Sequence, residues 1–257
     1  MPDHATPSPI ATAELLAVGA ELLAGETRDT NSGDLAGELT QLGVEVSRMA
    51  QLPDVLAVVA AAVGDALERA DLVVTTGGLG PTPDDLTRES IAAALGETPV
   101  VDPSLESWLR EMWAARGLPF ADTNLKQAWV IPSAEAMHNP NGTAPGWWVE
   151  RSGKVVVALP GPPRELKPMW RDHVLPRLQA RGLGLDRAVT TLHLVGVGES
   201  ALVDIVGADL LEADNPRMAT YARADFVDVR VSAVGSPDQT AEAMVTEAVT
   251  ALRPRLS

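Results

Sequence analysis

Short apolar runs alternate with amphipathic stretches along the first two thirds of the chain. The run Leu72–Val74 is rich in β-branched residues and predicts a strand that is buried on both faces. The predicted strands are 14–18, 44–49, 72–74, 147–150 and 154–159, and the predicted helices are 31–42, 53–70, 84–95, 103–116 and 163–178. Alternating strands and helices predict an α/β domain in which helices cover both faces of a mostly parallel sheet, a three-layer α/β/α fold.

The last third of the chain has a different pattern. The segment Ala180–Leu185 is small and flexible in composition and lacks apolar periodicity, which places a domain boundary there. The strands predicted beyond it are 188–195, 217–222 and 226–234, and the helices are 200–211 and 237–252. We therefore expect a disordered lead-in at residues 1–12, the α/β domain at residues 13–180 and a small α+β domain at residues 185–257.

Composition and charge exclude several classes of protein. The chain has 257 residues and no cysteine, so disulfides and thiolate chemistry are excluded. No apolar run reaches the roughly 20 residues needed to span a bilayer, and residues 1–12 lack the features of a secretory signal, so we expect a cytoplasmic protein. A net charge of −15 disfavours broad contact with nucleic acid, but it does not exclude a local basic pocket.

A glycine-rich turn follows the strand at Leu72. Gly77, Gly78 and Gly80 allow the backbone to approach a ligand closely and to adopt a positive φ, and Asp84 and Asp85 then open the next helix. Ligands of parallel sheets lie beyond the carboxyl ends of the strands, where helix N-termini favour anions. Two acids at such a place favour a cation or proton transfer, the alternative being that one of them caps the helix.

Two further loops belong to the same predicted sheet edge. Asn141, Gly142 and Thr143 offer successive amides and a hydroxyl to a phosphate, unless they form a plain connecting turn. Gly161 ends another strand at the ligand edge. Two phosphate-suited loops on one edge, together with acids for a cation, favour a ligand that contains a diphosphate.

Several residues near these loops are weaker candidates. Asn31 follows a strand-to-helix loop, where its amide either binds a ligand or caps the helix. Glu21 lies in the same loop as a lone acid. Asp54 heads the next helix and is also a candidate for its cap. Thr82 lies in the glycine-rich turn. Lys126 is a candidate cation for phosphate oxygens, unless it is a surface charge.

Two more features need an interpretation. Arg88 is the other candidate cation for phosphate oxygens. Trp147 and Trp148 are adjacent on a strand and therefore point to opposite faces of the sheet. A base could stack on the outward ring, but a role in the core or in an interface is favoured.

The glycine-rich turn, TGGLGPTPDDLTRE, resembles the signature of the CinA-type members of the MoaB/MogA-like molybdenum-cofactor-biosynthesis family. Further blocks resemble the same family in the same order, and the last two resemble the start of its KH-like domain. These blocks are Val18–Gly43, Asn124–Val149, Leu159–Trp170, Gly196–Leu202 and Asn215–Ala222. The resemblance runs from about Ala13 to the last residues. The family places a functional acid at Asp54, which the resemblance therefore implies as a ligand-binding residue. Around Asp54 the chain departs from the family, with LPDVL where the family more often has glycine before the acid and asparagine after it.

The resemblance implies an ADP-ribose pyrophosphatase that releases AMP and ribose 5-phosphate. Asp84 and Asp85 would hold a divalent metal ion, Mg²⁺, Mn²⁺ or Co²⁺, while Lys126 and the glycine-loop amides neutralise the diphosphate and Glu21 orients the attacking water. Which of these acids is the general base and which a metal ligand stays open at this point. One alternative, a molybdopterin-binding or adenylating protein, is implied by the wider family. The other is a non-enzymatic partner module in competence or DNA damage.

The small domain is KH-like by the same resemblance. Its segment Gly196–Glu199 is not the GxxG clamp of an RNA-binding KH module, because an acid stands where a phosphate would be gripped. We therefore expect no nucleic-acid partner and a structural role in a homodimer. Many members of the family carry a further domain that deamidates nicotinamide mononucleotide, and no segment up to Ser257 supports that chemistry.

Overall fold

The structure, a computed structural model, describes residues 9–184 and 186–256. The chain separates into two compact units between Leu183 and Gly184, within the segment where the composition places the boundary. Residues 1–8 of the predicted lead-in lie outside the described residues. The prediction of disorder is wrong for the end of the lead-in, because Ile10 is fully buried and forms a β-bridge with Leu183, and the first strand begins at Thr12.

The first unit contains eight strands and seven α-helices among its described residues. They are β1 (Thr12–Val18), α1 (Ala20–Leu23), α2 (Asn31–Gln41), β2 (Glu45–Leu52), α3 (Leu56–Arg69), β3 (Leu72–Thr76), α4 (Thr87–Leu95), β4 (Val100–Val101), α5 (Pro103–Ala115), β5 (Trp129–Val130), β6 (Ala134–Met137), β7 (Gly146–Arg151), β8 (Lys154–Leu159), α6 (Pro163–Met169) and α7 (Leu175–Arg181). A 3₁₀ helix spans Asp122–Ala128.

Six of these strands form one sheet in the order β2-β1-β3-β8-β7-β6. The pairs β1–β2, β1–β3 and β3–β8 are parallel, whereas β7 is antiparallel to β6 and β8. A tight turn at Ser152 and Gly153 explains the antiparallel β7–β8 pair, since parallel strands need a long crossover. The predicted mostly parallel sheet is confirmed.

Apolar side chains cover both faces of this sheet. One core cluster joins α2, α6 and α7 to the sheet, and the other joins α3 and α4 to its opposite face. Trp147 belongs to the second cluster and Trp148 to the first, as their adjacent positions on β7 require. Both rings are buried, so neither is available to stack on a base. The three-layer α/β/α arrangement is therefore confirmed.

Three predicted helices of the first unit differ in their bounds, and in the second unit the predicted helix 200–211 is observed as two helices and the helix predicted from residue 237 begins at Ala241. Helix α4 begins at Thr87, so Asp84 and Asp85 lie in the preceding turn and do not open it; α3 begins at Leu56, so Asp54 does not cap it. The predicted helix 163–178 is interrupted by a π-helical turn at Trp170–Val174, which follows Pro168. A proline inside a helix removes one backbone donor and favours such a break.

The second unit is a small α+β domain with its own core. Its elements are β9 (Arg187–Val195), α8 (Glu199–Val206), α9 (Ala208–Leu211), β10 (Arg217–Ala222), β11 (Phe226–Val234) and α10 (Ala241–Leu252). The strands form an antiparallel sheet in the order β10-β11-β9. Val227, Val229 and Val231 pack with α8 and α10 on one face of that sheet. Nowhere in residues 9–184 and 186–256 is a helix long and apolar enough to cross a membrane.

Candidate functional site

A cleft of about 610 Å³ lies at the carboxyl ends of three neighbouring strands. Val18 ends β1, Thr76 ends β3 and Pro160 follows β8, and all three line the cleft. Parallel strands end at the same edge of a sheet, so the loops that follow them converge. The cleft contains most of the residues that the sequence predicts for the site: Glu21, Asn31, Asp54, Gly77, Gly78, Gly80, Asp84, Asp85, Thr143 and Gly161.

The glycine-rich turn is fixed by close backbone packing. Gly77 has a φ of 92°, and a Cβ there would lie 2.2 Å from the carbonyl oxygen of Val18. Gly78 has a φ of 63°, and its Cβ would lie 2.4 Å from the hydroxyl of Thr87, which donates to the Gly77 carbonyl at 2.8 Å. The sequence argument attributed these glycines to ligand approach and to a positive φ, and the positive φ is confirmed at Gly77 and Gly78. The structure shows that the fold itself requires them.

Arg88 supports the glycine-rich turn from the interior of the protein. It is 1% exposed, and its guanidinium donates to the carbonyl of Leu79 at 2.7 Å and to that of Pro145 at 2.8 Å. Burial lowers the pKa of Arg88 to about 10, so the side chain is charged at neutral pH. The expectation that Arg88 contacts phosphate oxygens is therefore wrong for this geometry, because the side chain is buried outside the cleft lining and its two terminal nitrogens donate to carbonyls of the protein. Arg88 joins the glycine-rich turn to the loop before β7.

Thr82 organises the two aspartates of the turn. Its hydroxyl oxygen lies within hydrogen-bond distance of a carboxylate oxygen of Asp84 and, at 2.5 Å, of one of Asp85, and its single proton serves one of them at a time; its amide donates to Asp85 at 2.9 Å. The hydroxyl of Thr82 lowers the pKa of Asp84 below its usual value. Lys126 is absent from the cleft wall; it donates to the Thr82 carbonyl at 3.2 Å and pairs with Glu89 at 2.7 Å. Lys126 thus supports the turn from outside.

Glu21 and Asp54 are coupled through the short helix α1. Asp54 accepts a hydrogen bond from the amide of Ala20 at 2.6 Å, so it fixes the start of α1 and not the helix that follows it in sequence. The Glu21 carboxylate folds back over Gly19, where a Cβ would lie 2.5 Å from Oε1. Asp54 therefore positions the loop that brings Glu21 to the cleft.

Asn31 joins two sides of the cleft. Its amide nitrogen donates to the Gly161 carbonyl at 2.8 Å, and its Oδ1 is buried without a hydrogen-bond partner. The amide of Ser32 is capped by Asp29 at 3.0 Å. The alternative that Asn31 caps α2 is therefore wrong, and its carbonyl oxygen is left for another donor.

The loop before β7 is built around a buried amide. Asn139 donates to Glu165 at 2.8 Å and to the Ala144 carbonyl at 3.1 Å. Gly142 packs against that pair, since its Cβ would lie 2.0 Å from a Glu165 oxygen, and Asn141 donates to the Arg164 carbonyl at 2.7 Å. Neither residue lines the cleft, in contrast to Thr143 and Glu165.

Sequence reasoning missed Glu165 and Gln127, two buried side chains of the cleft. Gln127 is 1% exposed, and its amide nitrogen donates to the Thr143 hydroxyl at 3.1 Å. Its Oε1 is buried without a hydrogen-bond partner. A glutamine in a short 3₁₀ helix carries no local pattern that predicts such a position. Only the contact with the loop of Thr143 reveals it.

Acidic side chains dominate the cleft. Arg28 is its one basic lining residue among those the structure describes, and the acids are Glu21, Asp29, Asp54, Asp84, Asp85 and Glu165. Within the described ranges, no group of three or more His, Cys, Asp or Glu side chains is arranged to hold a metal ion. A complete set of protein ligands for a cation is thus absent from those ranges. Asp84 and Asp85 are two carboxylates that can coordinate a cation together with a bound ligand.

The fold and the cleft agree with the sequence family that matches this chain. Residues 14–180 match the family described as a probable molybdopterin binding domain, and residues 189–257 match the damage-inducible protein CinA KH domain. The chain belongs to the CinA family. The resemblance stated from the motifs, including the KH-like character of the second unit, is confirmed.

Individual CinA relatives agree with the family match. A CinA-like protein of Deinococcus deserti is 51% identical over 246 residues, which cover 95% of this chain and 60% of the relative. A CinA-like protein of Deinococcus radiodurans is 49% identical, with 95% and 61% covered. The chain thus spans about three fifths of the length of these relatives. A crystal structure of a CinA protein with unknown function from Thermoplasma acidophilum is 33% identical, with a TM-score of 0.61, and covers 67% of this chain and 99% of that one.

Proposed function

We propose that the cleft binds a small molecule with a phosphate group and a heterocyclic ring, of the molybdopterin class that the family description names. The observation that carries the proposal is the convergence of the glycine-rich turn, Gly161 and Thr143 in one cleft. Turns with glycines and successive peptide amides form concave anion sites. The match over residues 14–180 supports the pterin class over other phosphorylated ligands.

Two unpartnered oxygens support a ring with hydrogen-bond donors. Asn31 is 8% exposed and Gln127 is 1% exposed, and the side-chain oxygen of each is buried without a partner. Such a buried acceptor costs about 1–3 kcal/mol when nothing donates to it. Both residues line the cleft, and a pterin or purine ring with N–H groups, or a sugar hydroxyl, is the kind of ligand that carries the missing donors. The cleft is therefore suited to a ligand that donates.

A second candidate function is hydrolysis of a nucleotide diphosphate, with ADP-ribose as the substrate. The acidic lining favours it, because a polyanion would be repelled by six carboxylates unless a cation accompanies it. Asp84 and Asp85 fit Mg²⁺ or a similar ion, which is commonly bound by one or two carboxylates together with substrate phosphates. A divalent cation there would supply neutralisation of the phosphate oxygens and a more acidic water.

The remaining residues have defined roles in that reaction. Thr82 orients Asp84 and Asp85 through its hydroxyl, and Lys126 holds the turn through the Thr82 carbonyl. Glu21, at the opposite loop of the cleft, is the candidate to orient the attacking water. Attack at phosphorus would yield AMP and ribose 5-phosphate from ADP-ribose.

One set of assays distinguishes the two functions. The protein is incubated with ADP-ribose, NAD, FAD or ATP and with Mg²⁺, Mn²⁺ or Co²⁺, and the products are identified; molybdopterin binding is measured in parallel. Metal-dependent release of AMP from ADP-ribose supports hydrolysis. Tight molybdopterin binding without turnover supports the binding function alone. If neither ligand binds, the cleft assignment is wrong.

Variants of the turn test the hydrolytic candidate. Asp84→Asn and Asp85→Asn keep the acceptor oxygen for Thr82 and remove the charge that a cation needs. We expect at least one of them to lose hydrolysis about a hundredfold, roughly 3 kcal/mol in the barrier. Asp122→Asn is the control, because Asp122 lies outside the cleft lining. Near-normal turnover by both turn variants would exclude a cation at Asp84 and Asp85.

A further inference from the structure

The small sheet of the second unit has one face covered by helices and one that they do not cover. Residues of β11 alternate between these faces, so Val227, Val229 and Val231 pack with α8 and α10 while their neighbours point the other way. The strand register aligns Tyr221 of β10 and His193 of β9 with Asp228 of β11. We call this second surface the open face and define it by Arg217, Tyr221, Arg223, Phe226, Arg230 and His193.

The open face is basic in an acidic domain. Residues 184–257 contain eleven Asp and Glu and six Arg, a net charge of −5, yet three of those six arginines belong to the open face, and the register aligns a fourth, Arg187, with Val234 on the same side of the sheet. Asp228 is the acid at its centre, and it is engaged by His193 at 2.5 Å and by Arg223 at 3.2 Å. The register places Arg217 and Arg230 further along the same face. The strands therefore segregate positive charge onto one surface.

Aromatic rings lie among these arginines. The ring of His193 contacts the ring of Phe226 edge to face, with centroids 5.5 Å apart. Tyr221 is 45% exposed, and the side chain of His193 is 66% exposed. Exposed flat rings beside guanidinium groups are the combination that binds unpaired bases and their phosphates, because rings stack on bases and arginines contact the backbone.

We propose that the open face binds single-stranded nucleic acid. Arg217 and Arg230 contact phosphates, Arg223 stays paired with Asp228 beside them, and bases stack on the rings of Tyr221, His193 and Phe226. This surface lies on the strands and does not involve the loop Gly196–Glu199, whose sequence argued against an RNA clamp. It is also independent of the cleft of the first unit and of the function proposed for it.

Other occupants fit the open face less well. A two-fold dimer through this surface would bring each arginine cluster against its own copy, and like charges oppose such contact. A duplex hides its bases from the rings. An acidic polypeptide would satisfy the arginines but has no ring system to match the aromatic side chains. Single strands alone provide phosphates and accessible bases together.

The test is fluorescence anisotropy of labelled oligonucleotides with the whole protein at low salt. We expect oligo-dT or oligo-U to bind with dissociation constants of about 1–100 µM, the range of contacts dominated by phosphates, and a duplex of the same length to bind about tenfold more weakly. Arg230→Gln should weaken binding and reduce the salt slope by about one. Tyr221→Ala should weaken binding about tenfold and leave the salt slope unchanged.

Arg253→Gln is the matched control. It removes the same charge from the same unit, but Arg253 follows α10 on the covered side of the sheet. Thermal melting checks that each variant is folded. Four outcomes overturn the proposal. Neither oligonucleotide binds up to about 100 µM, or Arg253→Gln weakens binding as much as Arg230→Gln does. Polyglutamate displaces the labelled oligonucleotide as effectively as unlabelled oligonucleotide does, or Arg230→Gln converts a dimer to a monomer in light scattering.

Discussion

At the scale of single residues, the buried guanidinium of Arg88 leads to a prediction for stability. Arg88→Met preserves much of the apolar stem but removes the donors to the carbonyls of Leu79 and Pro145. Because both carbonyls lose their donor, we expect the free energy of unfolding to fall by about 3 kcal/mol in chemical denaturation. Arg171→Met, at a side chain that is 71% exposed, should change it by less than about 0.5 kcal/mol. An Arg88→Met protein at least as stable as the wild type would show that burying the charge costs more than its hydrogen bonds contribute.

The turn of the cleft gives a second prediction, for the titration of Asp84. The hydroxyl of Thr82 lowers the pKa of Asp84 in the folded state, so Asp84 contributes stability above its unfolded pKa and loses it as the pH falls through the folded pKa. Thr82→Val deletes the hydroxyl. We expect the pKa of Asp84 to rise towards 3.8 in a carboxyl NMR titration, while that of Asp102, which is lowered by Ser104, stays in place. An unchanged pKa of Asp84 would contradict the hydrogen bond.

How far the sequence determines the site depends on the residue. The glycine-rich turn and Asp84 and Asp85 were identified because strand ends, glycines and acids have local signatures. Gln127 has no such signature, since its role arises from a contact with Thr143 that joins two distant loops. The inward direction of Arg88 was likewise invisible, because a sequence does not show which helix face the loop before β7 will cover.

At the scale of elements, the turn between β7 and β8 offers a stabilising change. Ser152 has a φ of 51° and Gly153 a φ of 78°, the conformation of a two-residue hairpin turn that favours Asn-Gly. Ser152→Asn should raise the free energy of unfolding by about 0.5–1 kcal/mol. Ser152→Val should lower it by about 1–2 kcal/mol, because a β-branched side chain is strained at positive φ. Equal stability of the two variants in chemical denaturation would contradict this account of the turn.

Element types were predictable and some element ends were not. Periodicity located the long strands and helices of both units, because each buries a face with period 2 or 3.6. The predicted start of α4 was wrong because Asp84 and Asp85 resemble helix-opening residues. In the structure both carboxylates lie at hydrogen-bond distance from the Thr82 hydroxyl, in a separate turn before the helix. The π-helical turn at Trp170–Val174 also escaped prediction, since it is shaped by packing as well as by Pro168.

At the scale of the whole molecule, average charge was a poor guide to local surfaces. The net charge of −15 includes a cleft lined by six acids and, in the second unit, a sheet face that contains three arginines. Strand register creates the second pattern, because residues two positions apart share a face. Composition alone could not separate the two. The division into units, each with its own buried core, keeps the two surfaces on separate parts of the chain.

That division leads to a prediction for a chain shortened after Leu183. All the residues that line the cleft lie between Val18 and Glu165, and the two core clusters of the sheet belong to the first unit. We expect the shortened chain to fold cooperatively and to bind the cleft ligand within about twofold of the full chain, because no lining residue is removed. If the second unit supports a homodimer, as its exposed sheet edges suggest, light scattering should find the shortened chain monomeric and the full chain dimeric. A dimeric shortened chain would place the interface in the first unit, and a shortened chain that folds but loses the ligand would show that the second unit contributes to the site.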